Sequence, residues 1–159
     1  MAKVIMLCGK LCSGKSSYAN ALLADSDAVI LSVDELMTCL LGKETGEMHD
    51  EYVRRSIQYL YRKTADIAHA GADVILDNGL WKREERSYAK EYFASRGIDC
   101  EIHYLHISNT EWEYRISCRN ANVKAGKCND YYVDDGLRRK FLSLFEEPTA
   151  DEGCIIIEG

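Results

Sequence analysis

Five short apolar runs recur along the chain and predict five buried β-strands. They cover residues 4–8, 28–33, 73–77, 100–106 and 154–157. The first run, VIMLC after Lys3, is apolar and rich in β-branched residues over the length of a strand, which is typical of a strand inside a protein core.

Longer segments with helical character separate these runs. Predicted helices cover residues 15–25, 34–41, 50–69, 81–95, 109–120 and 134–145. Gly97 follows the fourth of them and is the usual signal for a helix end. Because strands alternate with helices, the chain predicts an α/β fold: a mostly parallel sheet covered on both faces, with right-handed crossovers. Residues 121–130 show no clear periodicity and predict a loop, either an ordinary surface loop or a lid that faces phosphate.

The segment between the first strand and the first helix carries phosphate-binding chemistry. Residues 9–16, GKLCSGKS, fit the P-loop pattern G-x-x-x-x-G-K-[ST]. Small residues let backbone N–H groups turn toward phosphate oxygens, and the helix start adds partial positive charge. The residues expected to bind nucleotide are Gly9, Cys12, Ser13, Gly14, Lys15, Ser16 and Ser17. Lys15 is expected to reach the β- and γ-phosphates, and the Ser16 hydroxyl to ligate Mg²⁺.

Carboxylates follow two of the predicted strands. Asp34 comes after the second strand and Asp77 ends the third. Ligands of an open α/β sheet collect at the carboxyl ends of its strands, so Asp34 is placed to accept the proton of an acceptor hydroxyl. Asp77 is placed to hold Mg²⁺, directly or through water. The structural alternatives are helix capping for Asp34 and a tight turn with Asn78 for Asp77.

Arginines and lysines near the predicted loop are candidates for neutralising phosphate charge. Arg115 and Arg119 are four residues apart and share a helix face. Two arginines beside a transferring phosphate stabilise the charge that develops there, whereas pairing with Glu111 would make this an ordinary solvated face. Lys124 and Lys127 are weaker candidates.

Two further arginines, Arg83 and Arg86, follow the third predicted strand. They are placed either to meet an anionic substrate or to lie on a helix surface.

Length and composition narrow the class of protein. The 159 residues are 47% apolar and 29% charged, which predicts one globular domain. A net charge of −6 disfavours a long nucleic-acid partner. Seven cysteines without a Cys-x-x-Cys pair or a secretion signal predict free thiols in the cytoplasm and no zinc site. No apolar run approaches the roughly 20 residues of a membrane helix.

The chain resembles the small P-loop kinases that include polynucleotide kinase, gluconate kinase, chloramphenicol phosphotransferase and the zeta toxins. The resemblance covers nearly the whole chain and rests on residues 9–17, 33–35, 74–78 with Arg83 and Arg86, 115–119 and 145–148. It implies a three-layer P-loop NTPase fold with a five-stranded sheet in the order 2-3-1-4-5, and ATP·Mg²⁺ as the phosphate donor. It also implies that Asp34 is the general base, and that a lid segment around residues 115–131 binds nucleotide through Arg119, with Arg115 beside it.

These features together predict a cytoplasmic ATP-dependent kinase that phosphorylates a hydroxyl of a small molecule. Lys15, Ser16 with Mg²⁺ and Arg119 would stabilise charge, while Asp34 deprotonates the acceptor. A nucleic-acid 5′-hydroxyl kinase and a non-catalytic, regulatory nucleotide-binding module are the alternatives. Related lids often carry arginines where this chain has lysines, so the residue that neutralises the transition state stays open among Arg115, Arg119, Lys124 and Lys127. The expected acceptor segment, residues 36–61, matches no member closely enough to name an acceptor.

Overall fold

Five parallel strands form one sheet. In the computed structural model, which describes residues 1–159, the strands are β1 (Lys3–Cys8), β2 (Val29–Ser32), β3 (Val74–Gly79), β4 (Asp99–His106) and β5 (Ile155–Glu158). They lie in the order β2-β3-β1-β4-β5, and all neighbouring strands are parallel. The predicted sheet order is therefore confirmed, and each predicted strand is present with bounds that shift by a residue or two.

Six α-helices connect the strands. They are α1 (Lys15–Ala24), α2 (Val33–Leu41), α3 (His49–His69), α4 (Arg83–Ala94), α5 (Asn109–Lys124) and α6 (Asp135–Leu144). Short 3₁₀ turns at Gly46–Met48 and Ala150–Glu152 precede α3 and β5.

Helix α5 is longer than the sequence predicts. It continues through Lys124, so the first part of the predicted loop over residues 121–130 is helical. No glycine or proline interrupts this part of the chain until Gly126, whose φ of +66° is the left-handed conformation that ends many helices. Residues 121–124 are compatible with a helix but carry no apolar stripe. Because that stripe is missing, the sequence predicts a loop there.

The helices cover both faces of the sheet. α2, α3 and α4 pack on one face, around a core that includes Met6, Leu60, Leu76, Phe93 and Ile102. α1 packs on the other face, where Leu7, Ala19, Ile75 and Leu105 are buried. Neighbouring residues of β1 point to opposite faces, so Met6 and Leu7 belong to different clusters.

A third, smaller cluster positions α5 beside the P-loop. Its buried residues are Ile107, Trp112, Ile116 and Val133, and Leu137 and Phe141 of α6 pack against them. The indole of Trp112 donates a hydrogen bond of 2.8 Å to the carbonyl of Leu11, inside the P-loop. The helix that carries Arg115 and Arg119 is thereby attached directly to the phosphate-binding motif.

None of these helices is both long enough and apolar enough to cross a lipid bilayer. The seven cysteine thiols are free.

Candidate functional site

The register of the sheet brings the ends of β1, β2 and β3 together. Asp77 of β3 is paired with Leu7 of β1 on one side and with Ser32 of β2 on the other. The P-loop begins just after Leu7, and Asp34 comes just after Ser32. Lys15, Asp34 and Asp77 therefore converge at one edge of the sheet.

The P-loop is tightly closed and attached to the end of β3. The Gly9 N–H donates to the Gly79 carbonyl at 3.1 Å. A Cβ at Gly9 would lie 2.5 Å from the Ser13 hydroxyl and 3.2 Å from the Leu105 carbonyl oxygen, so only glycine fits there. Gly14, at φ +95°, precedes α1 without any side-chain cap. The first N–H groups of α1 are thus left for an anion.

Lys15 folds over the P-loop. Its ammonium donates to the carbonyls of Gly9 and Lys10 at 3.0 and 2.9 Å. Burial lowers the pKa of Lys15, while the nearby carboxylates of Asp77 and Asp34 raise it. The positive charge is thereby held within electrostatic reach of both acids.

Cys12 occupies a strained position in the P-loop. Its φ of +61° is left-handed, a conformation that costs a residue with a Cβ roughly 1 kcal/mol or more relative to glycine. We expect Cys12→Gly to stabilise the protein by about 1 kcal/mol, which raises Tm by roughly 2–4 °C in thermal unfolding. Cys12→Ala is the matched control, because it removes the thiol and keeps the strain. Equal Tm values for the two variants would contradict the strain.

The two acids differ in their surroundings. Asp77 is half-buried, and burial raises its pKa; Lys15 lowers that pKa and Asp34 raises it further. Asp34 is exposed in the first turn of α2, and the cap of that helix is supplied by Ser32, whose hydroxyl accepts a hydrogen bond from the Glu35 N–H. Asp34 is thus free of the capping role that was its structural alternative.

Arg115 lies against the P-loop. Its Nη1 donates to the Cys12 carbonyl at 3.4 Å, and its Nε donates to Glu111 at 2.7 Å. The ion pair with Glu111 is therefore present, and the same guanidinium also reaches the phosphate-binding loop; its role toward phosphate stays a prediction.

Arg119 is held by the chain that returns from α5. Its Nη1 lies 3.4 Å from the Asp130 carboxylate, its Nε donates to the Tyr131 carbonyl at 3.4 Å, and its guanidinium lies 4.7 Å from the centre of the Tyr131 ring. The amide of Asn120 anchors the same segment through two hydrogen bonds to the backbone of Val133.

Of the two lysines that the sequence offered as further candidates, Lys124 lies over the ring of Tyr132 at 5.0 Å. Lys127 is exposed.

Two residues that the sequence did not single out lie at the site. Lys10 donates to Asn109 at 3.0 Å, and its ammonium lies within 6 Å of the Trp112 and Phe145 rings. Burial raises the pKa of the Tyr131 phenol, Arg119 lowers it, and the nearby Asp34 carboxylate raises it further. Lys10 occupies a variable position of the motif, and Tyr131 lies in a segment without periodicity, so no sequence signal marked either one.

Arg83 and Arg86 are both bound by acids of the segment that precedes β5. Arg86 is fully buried, and its guanidinium binds both carboxylate oxygens of Glu152 at 2.6 and 3.0 Å and the Glu146 carbonyl at 2.9 Å. Arg83 pairs with Asp151 and donates to Thr149 at 2.9 Å. The two arginines fix the segment before β5 onto α4. Arg83 lies on the exposed surface of that helix, as one alternative had it, whereas Arg86 is buried within the ion pair.

The Arg86–Glu152 pair predicts an acid-sensitive stability. The Arg86 hydrogen bonds lower the pKa of Glu152 from its ordinary 4.5 to about 2. Because the folded-state pKa is depressed, the pair stabilises the protein above pH 4.5 and loses that contribution as the pH falls toward 2. We expect Glu152→Gln to lower the free energy of unfolding by about 3 kcal/mol near pH 7. The deficit should shrink on acidification, as measured by urea unfolding; a deficit independent of pH would contradict the assignment.

A separate surface groove lies between α3 and α4. It encloses about 390 Å³, and its lining includes Tyr61, Tyr88 and Arg96. None of the predicted site residues lines it.

Comparison with known proteins identifies the family to which the sequence is similar. A family model described as an AAA domain matches residues 4–148. No curated protein matches the chain in sequence.

Solved structures share the fold at low sequence identity. A gluconokinase from Sinorhizobium meliloti 1021 has a TM-score of 0.68 at 15% identity, over 98% of this chain and 82% of that chain. The Mycobacterium tuberculosis APS kinase CysC, in complex with AMPPNP and APS, has a TM-score of 0.66 at 21% identity, over 99% and 88%. A chain of the Pnkp1/Rnl/Hen1 RNA repair complex has a TM-score of 0.72 at 14% identity, over 90% and 43%.

Proposed function

Because the chain belongs to the AAA-domain family and shares its fold with several kinases, we propose that it is an ATP-dependent kinase that phosphorylates a hydroxyl of a small molecule. The observation that carries this proposal is the position of Asp34. Its exposed carboxylate has no capping role, and it lies within electrostatic reach of Lys15 and Asp77 at the edge of the P-loop. Binding of a nucleotide alone requires no free acid at that place.

The proposed reaction is an in-line phosphoryl transfer. The acceptor oxygen forms a bond to the γ-phosphorus while the bond from that phosphorus to the β–γ bridging oxygen breaks and ADP leaves with the electron pair. Asp34 takes the proton of the acceptor hydroxyl. Lys15 and the N–H groups at the start of α1 stabilise the negative charge on the phosphates, and the arginines of α5 contribute further positive charge.

Ser16 and Asp77 are the residues that would hold Mg²⁺. Ser16 is exposed in the first turn of α1, and Asp77 is half-buried at the end of β3. No group of three or more His, Cys, Asp or Glu side chains is arranged to hold a metal ion. One hydroxyl and one carboxylate suit Mg²⁺, which is commonly bound through one or two protein oxygens together with the substrate phosphates. When bound, the ion would neutralise phosphate charge.

An acceptor screen tests the proposal. Purified protein with ATP and Mg²⁺ is incubated with pooled sugars, polyols, nucleosides, cofactors and antibiotics, and ADP release is measured for each pool. We expect acceptor-dependent ADP release from at least one pool and label transfer from γ-labelled ATP to a compound in it. Tight ATP binding without acceptor-dependent release in any pool would instead indicate a regulatory nucleotide-binding module.

A nucleic-acid end kinase is the second candidate. The likeness in fold to a chain of an RNA repair complex favours it, and the net charge of −6 disfavours it. Transfer of labelled γ-phosphate to an oligonucleotide that carries a 5′-hydroxyl distinguishes the two, and we expect none.

A further inference from the structure

We propose that Trp81 binds the phosphate acceptor, and that the acceptor presents a flat ring to its indole, as a cyclic sugar or a nucleoside does. This inference rests on the proposed kinase function and names a binding residue and a substrate class for the same site. It follows from where the indole lies and from what it leaves unbound.

The indole of Trp81 lies over the end of β3, beside the P-loop. A Cβ at Gly79 would lie 3.1 Å from Nε1 and 3.2 Å from Cδ1 of Trp81, so the glycine makes room for this edge of the ring. The carbonyl of the same Gly79 accepts the N–H of Gly9, the first residue of the P-loop, at 3.1 Å. The indole is therefore next to a residue that touches the phosphate-binding loop.

The position of Trp81 in the chain places it on the Asp34 side of this edge. β3 lies between β2, which leads into Asp34, and β1, which leads into the P-loop. Trp81 connects β3 to α4, and α4 packs on the same face of the sheet as α2, the helix that carries Asp34. α1, which begins at the P-loop, packs on the other face. Trp81 therefore belongs with the acceptor rather than with the nucleotide.

The backbone before Trp81 is strained and firmly held. Leu80 is buried, and its φ of +46° is a left-handed conformation that is unfavourable for a residue with a Cβ. Its carbonyl accepts hydrogen bonds from the Cys8 thiol at 3.3 Å and from the Arg86 guanidinium at 3.1 Å. The Phe141 ring meets the indole edge-on, with 5.2 Å between the ring centres. Strain of this kind is typical of ligand sites, and here it sets the direction of one partly exposed aromatic side chain.

The indole keeps an unused hydrogen-bond donor. Of the two tryptophans, Trp112 donates its N–H to the Leu11 carbonyl at 2.8 Å, whereas the Trp81 N–H makes no hydrogen bond within the protein. The Trp81 nitrogen is not buried, so a ligand can reach it. An apolar face combined with a free N–H suits a ligand that has a flat face and an oxygen at its rim.

Cyclic sugars and nucleosides share these two features. The C–H groups of a sugar ring form an apolar face, a nucleobase is planar and stacks on aromatic side chains, and both kinds of compound carry oxygens that accept hydrogen bonds. An open-chain polyol has hydroxyls on every side and offers no such face. We therefore expect ring acceptors to be preferred over open-chain ones.

Variants of Trp81 test its contact with the acceptor found in the screen. Trp81→Ala should raise the KM for that acceptor about tenfold or more, as the loss of a stacked aromatic ring does, and leave the Kd for ATP unchanged. Trp81→Phe keeps a ring against Phe141 and should raise the KM by a smaller factor; it also keeps the test open if the alanine variant fails to fold. Tyr88→Ala, the loss of an exposed aromatic residue on α4, is the control and should change neither constant.

A spectroscopic signal reports the contact without turnover. Labelling with 5-fluorotryptophan gives one ¹⁹F signal for each of the two tryptophans, and Trp81→Phe assigns them. Methyl glycosides, nucleosides and open-chain polyols are added in separate sets to protein saturated with a non-hydrolysable ATP analogue. We expect the Trp81 signal to shift with one of the two ring sets, which distinguishes a sugar from a nucleoside, and to stay in place with the open-chain set.

The outcomes separate this inference from the kinase function. An unchanged KM in Trp81→Ala, with an acceptor that the protein turns over, would overturn the inference and leave the kinase function standing. Preferred turnover of open-chain polyols would do the same, as would a rise in the Kd for ATP in place of the acceptor KM. Absence of acceptor-dependent turnover in the screen and in all three sets would overturn both.

Discussion

Asp34→Asn is expected to lower kcat by about 10²–10⁴ while ATP still binds with unchanged affinity. The amide keeps the size and hydrogen-bonding capacity of the carboxylate but takes no proton from the acceptor hydroxyl. Asp34 is exposed and does not cap α2, so the substitution leaves the helix start intact. Single-turnover phosphoryl transfer to the acceptor found in the screen, together with ATP titration, measures the two effects separately.

The control for this variant is Asp135→Asn. Asp135 is an exposed acid in the first turn of α6, and its loss changes the net charge and the helix-dipole interaction in the same way as the loss of Asp34. Activity should survive in the control. Unchanged turnover in Asp34→Asn itself would remove Asp34 from the chemistry and leave the kinase function to be explained without it.

Much of the fold was predictable because its strands are short, apolar and separated by helices. The runs around Met6 and Leu76 are buried on both faces, and only a parallel sheet with helices on each side buries them in that way. The P-loop pattern and the acids after β2 and β3 then follow, because parallel strands end at a common edge. The register that pairs Asp77 with Ser32 brings Asp34 to the same place as Lys15.

The parts that sequence reasoning missed depend on long-range pairing. Nothing local indicates that Arg86 meets Glu152, 66 positions later in the chain, or that this pair is buried. A basic residue after a strand suggests ligand binding until its partner is known. Tyr131 was missed for a related reason, since its place near Asp34 depends on how the chain returns from α5, and that return is fixed by the buried Asn120–Val133 hydrogen bonds.

Arg119→Ala is expected to lower kcat by about 10³-fold or more, because an arginine that neutralises the transferring phosphate contributes 10³–10⁵ in related phosphoryl transfers. The Arg119 guanidinium is held only by contacts at 3.4 Å to Asp130 and the Tyr131 carbonyl and by the Tyr131 ring. These are long contacts, which a phosphate with shorter charge-assisted hydrogen bonds can replace. Arg119→Lys should recover only part of the rate, because the ammonium lacks the planar fork of donors.

Comparison with Arg115→Ala decides which lid residue acts on the transition state. Arg115 is bound at 2.7 Å by Glu111 and also contacts the Cys12 carbonyl, so its guanidinium is already committed to positioning the P-loop. Its removal should raise the Kd for ATP more than it lowers kcat, whereas removal of Arg119 should do the reverse. Arg62→Ala, an exposed change on α3 away from the P-loop, controls for the loss of one positive charge. A larger loss of kcat in Arg115→Ala than in Arg119→Ala would transfer the role to Arg115, because the rate effect follows the group that meets the phosphoryl oxygens only during transfer.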